Sequence, residues 1–168
     1  MYKLNFLEVS LILSTLSCSL VTGFIFTYAV IVMPGFSKLN DKDFIRAFQV
    51  TDNVIQNNQP LFMLIWIGSI LSMISTIAFS IFNINADYSI LIMSTGFFYL
   101  IGVQGLTISI HVPLNNKIQK IDVDKEDELK LNEVRKEFEI KWNYYNRIRT
   151  VVAFNVTTLL MLILLNIY

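Results

Sequence analysis

The residues best equipped for chemistry gather between positions 111 and 149. His111 is the only histidine, and an imidazole is the side chain best suited to accept a proton near neutrality. Two residues on, Pro113 lacks an amide hydrogen and its ring collides with the carbonyl four residues back. A helix arriving there is expected to kink or end near His111, leaving backbone carbonyls in need of partners. Trp142, Asn146 and Arg149 follow at i, i+4 and i+7, which puts an indole donor, an amide and a guanidinium on one helical face. An arginine at the edge of an apolar bundle can hold an anionic substrate or a developing oxyanion. His111 and Arg149 are therefore the candidate catalytic pair, with Asn115, Trp142 and Asn146 as substrate-binding residues. Gln104 and Thr107 share a helical face with His111. The same residues also fit a structural role: a polar clasp of Asn115, Asn146 and Arg149, with His111 as an interfacial anchor. One histidine and one cysteine do not make a usual metal or haem ligand set, so no cofactor is expected.

These residues need a scaffold, and the composition points to a membrane. At 168 residues and 54% hydrophobic, with mean hydropathy +0.56, the chain is too short for several domains and too apolar for an ordinary soluble one. A single integral membrane domain over residues 1–168 is expected. Four apolar runs, at residues 9–33, 61–82, 88–112 and 150–167, are each near the ~20 residues a helix needs to cross a bilayer. They lack the strict alternation of a barrel, so the fold class is all-α: a four-transmembrane-helix bundle. Acidic and basic residues number 13 each, and this balance excludes a nucleic-acid partner. Cys18, the single cysteine, excludes an internal disulfide and a Cys-x-x-Cys pair. The first run is longer than a signal-peptide core and is read as a retained span; residues 15–17 form no lipoprotein cleavage box before Cys18.

Small residues recur in two stripes, Ser19/Gly23/Thr27 and Gly68/Ser72/Thr76/Ser80, where helices are expected to approach closely. Twelve of the 13 basic residues fall in two connections, with Lys3 the exception. The positive-inside rule makes both connections cytoplasmic, in a multi-pass protein of the bacterial cytoplasmic membrane. Both termini and the short turn at residues 83–87 then face outward. In the first connection Asn40 is a plausible N-cap, Phe44, Phe48 and Ile55 line one face, and Asn57, Asn58 and Pro60 break the helix. Gln49, Asp52, Asn53 and Gln56 read as a solvated face. In the second, Leu131, Val134, Phe138, Trp142, Tyr145 and Ile148 form an amphipathic stripe that extends the fourth helix towards the Phe44/Phe48 face. Asp124 is the expected cap of this extension, and the acidic cluster at 122–128 a solvated helix start. Asn155 is expected to make an interhelical hydrogen bond.

At these residues the chain resembles the anthrone oxygenase-like family of small four-helix membrane proteins. The resemblance rests on Gly-Phe-Ile-Phe-Thr-Tyr-Ala-Val-Ile-Val-Met-Pro-Gly at 23–35, on Phe48-Gln49 leading to Asn57 and Pro60, and on Val112-Pro113-Leu114-Asn115-Asn116. Trp142-Asn143-Tyr144-Tyr145-Asn146-Arg147-Ile148-Arg149-Thr150 completes it. Trp142, Asn146 and Arg149 match the family's Trp, Asn and Arg, and Pro113 and Asn115 its Val-Pro-Leu-Asn element. His111 and Asp52 depart from it, standing where many bacterial members carry Asn. The resemblance implies oxidation of a hydrophobic phenolic or anthrone-like substrate by dioxygen without a familiar cofactor, as fungal members are implicated in doing. In that chemistry His111 would accept the proton, Arg149 would stabilise the anion, and Asn115 with Asn146 would orient the ring.

Two functions follow. One is a cofactor-independent oxygenase whose hydrophobic substrate enters from the lipid bilayer. The other is a non-enzymatic membrane module that binds a lipid, a lipophile or a partner protein through its amphipathic stripe. A channel is disfavoured because the first two spans carry no intramembrane charge.

Overall fold

The structure, a computed structural model, describes residues 5–82 and 88–167. Lys3 and the turn at 83–87 lie outside the described residues. In chain order the helices are α1 (Phe6–Phe36), α2 (Asp41–Gln56), α3 (Pro60–Phe82), α4 (Ser89–Gln119) and α5 (Glu128–Ile167). Among the described residues there is no strand, and four helices, all but α2, are long and apolar enough to cross a membrane.

Each helix starts where local chemistry allows it. Asn5 and Glu8 form a capping box at α1, each side chain accepting a hydrogen bond from the other's backbone amide. Asn40 caps α2 by accepting from the Asp43 amide at 2.8 Å, as expected. Asn58 turns the chain with a φ of 57°, and Pro60 opens α3. The start of α5 is a correction: Asp127, not Asp124, accepts from the Lys130 amide at 2.7 Å. Asp124 reaches across to Lys42 and Arg46 at 2.8 and 2.7 Å, so the acidic cluster is in part a tether to α2.

In the bundle α1 lies between α3 and α5, and α4 closes the other side. Hydroxyl pairs bridge the helices: Ser14 with Thr76 at 2.9 Å, Ser17 with Ser72 at 3.2 Å, and Thr22 with Thr157 at 2.9 Å. The second small-residue stripe therefore does pack, at Ser72 and Thr76. The first does not: Gly23 and Thr27 are exposed, and α1 meets α3 through Ser14 and Ser17. Four-residue spacing identifies a face but not which way it points. Asn155 is also corrected, since it is exposed and bonds the Val151 carbonyl of its own helix, while Thr157 makes the crossing bond.

Neither internal proline ends its helix. Before Pro34 and before Pro113 the chain widens into a π-helical stretch, Tyr28–Val32 and Thr107–His111. In each, the residue preceding the proline donates its amide to the carbonyl five residues back, Met33 to Tyr28 and Val112 to Thr107. The longer register admits a residue that cannot donate to the carbonyl four back. Helix α4 therefore continues to Gln119 instead of stopping near His111.

α2 lies across the charged end. Phe48 packs edge-on to Phe138 at 4.6 Å, and Leu131, Val134, Phe138 and Trp142 are buried beneath α2 as the stripe predicts. After Trp142 the inward face passes to Asn146 and Arg149; Tyr145 is half-buried and Ile148 exposed. Arg135 clamps the approach to α2, bonding the Ser37 and Leu39 carbonyls and Asp41 while lying 4.5 Å over Phe44. Hydrogen bonds from Asn132 and Arg135 hold the Asp41 carboxyl below its ordinary value of 3.8. This contribution to docking is complete above that value and is lost as pH falls through the lowered one.

The closest helix crossings need glycine. A Cβ at Gly102 would sit 2.8 Å from Cγ1 of Val152, a stiff β-branched side chain. Gly102→Ala gains about 1 kcal/mol of helix propensity but incurs about 1–3 kcal/mol of overpacking. We expect net destabilisation in a detergent unfolding titration, reversed when Val152→Ala is added; an additive double mutant would refute the close approach.

Candidate functional site

At the charged end, α1 to α5 enclose a cavity of about 210 Å³. Its apolar wall is aromatic, with Phe24, Phe48, Phe62, Trp66 and Trp142. Its polar groups are Tyr28, Asp52, Thr107, His111, Asn115 and Arg149. Four of the five residues singled out from sequence thus converge on one space, although they come from two helices and are separated by up to 38 positions.

Arg149 is 4% exposed. Its Nε donates to Asn146 Oδ1 at 2.8 Å, its Nη1 to Thr107 Oγ1 at 3.1 Å, and its guanidinium lies 5.6 Å from the Trp142 ring centroid. Among the described residues no carboxylate comes within ion-pair distance. Asn146 does not line the cavity. It lies behind Arg149, with Oδ1 accepting from the guanidinium and Nδ2 directed to the Ile25 carbonyl at 3.3 Å. That carbonyl belongs to α1, whereas the Trp, Asn and Arg face was expected to satisfy carbonyls of the helix before Pro113.

His111 is 2% exposed and stands edge-on to Trp142, with ring centroids 5.0 Å apart. Among the described residues neither ring nitrogen makes a hydrogen bond; the Tyr145 backbone lies beside the ring outside hydrogen-bond geometry. A buried unsatisfied polar group costs about 1–3 kcal/mol. The ring borders the cavity with both nitrogens buried. Gln104, by contrast, is drawn away, donating to the Tyr99 hydroxyl at 2.8 Å, while Thr107 is brought in by Arg149.

Two site residues escaped the sequence reading. Asp52, assigned to a solvated face, is 4% exposed and its carboxylate accepts from Asn115 at 2.7 Å, Gln56 at 2.6 Å and Gln119 at 3.0 Å. Asn115 in turn accepts the Trp142 indole N–H at 3.0 Å, so one polar chain ties α2, α4 and α5. Gln49 is likewise engaged, bonding the Ile118 and Ile121 carbonyls. The signal was the spacing of Phe44, Phe48 and Asp52, which places the carboxylate on the buried stripe. The other is Tyr28, 8% exposed and packed between Phe24 and Trp142 at 5.0 and 5.7 Å. Among the described residues no group of three His, Cys, Asp or Glu side chains comes together as metal ligands.

The Asp52, Asn115 and Trp142 chain is testable. Asn115→Leu strands the indole N–H and one amide site on the carboxylate, and should cost about 2–4 kcal/mol of stability. The exposed control Asn155→Leu should change it by less than about 0.5 kcal/mol. Equal effects in denaturant titrations would show that the chain does not hold the three helices together.

A family model described as anthrone oxygenase matches residues 57–159. No curated protein and no solved structure matches the chain. The matched segment carries His111, Asn115, Trp142, Asn146 and Arg149, while Tyr28 and Asp52 precede it. It covers more than half of the sequence, with all of α3 and α4 and most of α5, and the chain belongs to the anthrone oxygenase family.

Proposed function

We propose that the protein is an oxygenase that uses dioxygen to oxidise a hydrophobic phenolic or anthrone-like compound in this cavity. The observation that carries the proposal is the meeting, in one aromatic-lined cavity, of an arginine with no carboxylate at ion-pair distance and a buried histidine whose ring nitrogens make no hydrogen bond, both among the described residues. His111 takes a proton from the acidic ring carbon, and Arg149 stabilises the resulting enolate oxygen. Dioxygen accepts the electrons and bonds to that carbon; cleavage of the O–O bond leaves a carbonyl and releases water, which carries off both hydrogens of the methylene. Asn146 and Thr107 hold the guanidinium, and Asn115 with Trp142 sets the ring plane. Asp52, its carboxylate engaged by three amides, lines the cavity without being needed as a base.

The second reading, a binding module, drew on the amphipathic stripe of α5. That stripe is covered by Phe44 and Phe48, which leaves the aromatic-lined cavity as the place where a lipophile would bind on this reading. We also place both charged connections on the cytoplasmic side of a bacterial membrane, supported by the concentration of Lys and Arg at that end of the bundle.

Oxygen uptake by the purified protein with anthrones and hydroquinones tests the chemistry. Arg149→Leu removes a buried charge but strands Asn146 Oδ1, so it is compared only in protein shown folded by circular dichroism, where it should lower turnover about 10²–10³-fold, as loss of an oxyanion donor does. His111→Ala should lower it about 10²–10⁴-fold. Wild-type rates in both folded variants would remove the site assignment. For orientation, a C-terminal alkaline phosphatase fusion should be active in cells and a C-terminal green fluorescent protein fusion dark; the reverse pattern would invert the topology.

A further inference from the structure

The four seams of the bundle are unequal. α4 packs on α5 along its whole length, but its packing on α3 is concentrated in Ser89–Gly105. Beyond that point the two helices border the cavity, with Phe62, Met63 and Trp66 on one side and His111 and Val112 on the other. Met63 is half-buried and Val112 is 44% exposed, although both line the cavity, so this seam connects the interior with the outer surface. The surface there is apolar: Leu64 and Ile108 are 69% and 65% exposed, and residues 60–82 and 89–116 contain no Asp, Glu, Lys or Arg.

The polar end is closed differently. Gln49 bonds the Ile118 and Ile121 carbonyls, Gln119 bonds the Gln49 carbonyl, and Asp52 holds Asn115 and Gln119. Opening a path on the aqueous side breaks these bonds, whereas the seam is bordered by side chains that make none. An apolar cavity of ~150 Å³ accommodates benzene, and drug-sized ligands occupy sites of ~300 Å³ or more. At about 210 Å³ the cavity encloses one ring or two fused rings, and the rest of a larger molecule extends into the seam.

We propose that the cavity is entered sideways from the bilayer, between Met63 and Val112, and takes the reacting ring of the phenolic or anthrone-like substrate while its remaining apolar part lies in the seam. The chemical class rests on the oxygenase reading; the route rests on the packing alone.

The chain's two tryptophans, Trp66 and Trp142, both line the cavity, which permits a binding test without turnover. In a Trp66→Phe background reconstituted in liposomes, decyl-1,4-benzoquinone should quench Trp142 saturably, and aqueous iodide should not. Val112→Phe and Met63→Phe, which narrow the seam from opposite sides, should each raise the half-saturating quinone concentration about tenfold, a loss of ~1.4 kcal/mol. Ile90→Phe, at an exposed position at the opposite end of α4 from the cavity, should leave it unchanged. Circular dichroism identifies a variant that fails to fold, in which case the other seam variant decides. Quenching insensitive to the folded seam variants, or iodide reaching Trp142 as readily as the quinone, would overturn the lateral route. Normal seam-dependent binding without oxygen uptake would instead leave the route standing and remove the oxygenase reading.

Discussion

A guanidinium buried in an apolar bundle with no carboxylate at ion-pair distance among the described residues is expensive, and much of the charged end is arranged around Arg149. Asn146 accepts from its Nε, and the other end of that amide reaches the Ile25 carbonyl of α1. Thr107 accepts from Nη1, and the Trp142 ring presents its π face. These contacts come from α1, α4 and α5, so holding one charge also fixes three helices relative to one another. The side chains that contact Arg149, Asn146, Thr107 and Trp142, are neutral, so none of them offsets the charge of the guanidinium.

The second constraint is the pair of prolines. A proline inside a helix forfeits one hydrogen bond and crowds the preceding turn, and here each is accommodated by lengthening the register just upstream. The widened stretches begin or end on cavity residues, Tyr28 in α1 and Thr107 and His111 in α4. Backbone accommodation and side-chain placement are thus one event. The stretch that lets α4 pass Pro113 is the stretch that carries the histidine and the hydroxyl partner of Arg149.

The amphipathic helix completes the site. Without α2 the cavity would open to water at its polar end, because Phe48 and Asp52 form that wall and Gln49 stitches it to the end of α4. Its docking is mixed in character. Phe44 and Phe48 on Phe138 supply apolar burial, and the Asp52, Asn115 and Trp142 chain supplies direction. Excluding water from such a wall strengthens each electrostatic interaction inside it, including that of Arg149 with any anion.

Much of this was legible without coordinates. The spans follow from the absence of charge over membrane-length runs; the start of α2 follows from Asn40; and the face shared by Trp142 and Arg149 follows from helical periodicity alone. These are local properties, decided by residues within a turn or two of one another. What required tertiary structure was whatever depends on the rotation of one helix against another. The Ser19/Gly23/Thr27 stripe could not reveal that it faces outward, Asp52 could not reveal the three amides that keep it from solvent, and Tyr28 gave no sign of packing against Trp142. Asn146 marks the boundary most clearly. Spacing alone put it on the face of Arg149, but only the approach of the Ile25 carbonyl turned it away from the cavity. A buried hydrogen-bonding group takes the partner that packing brings within reach, and that partner is distant in the chain.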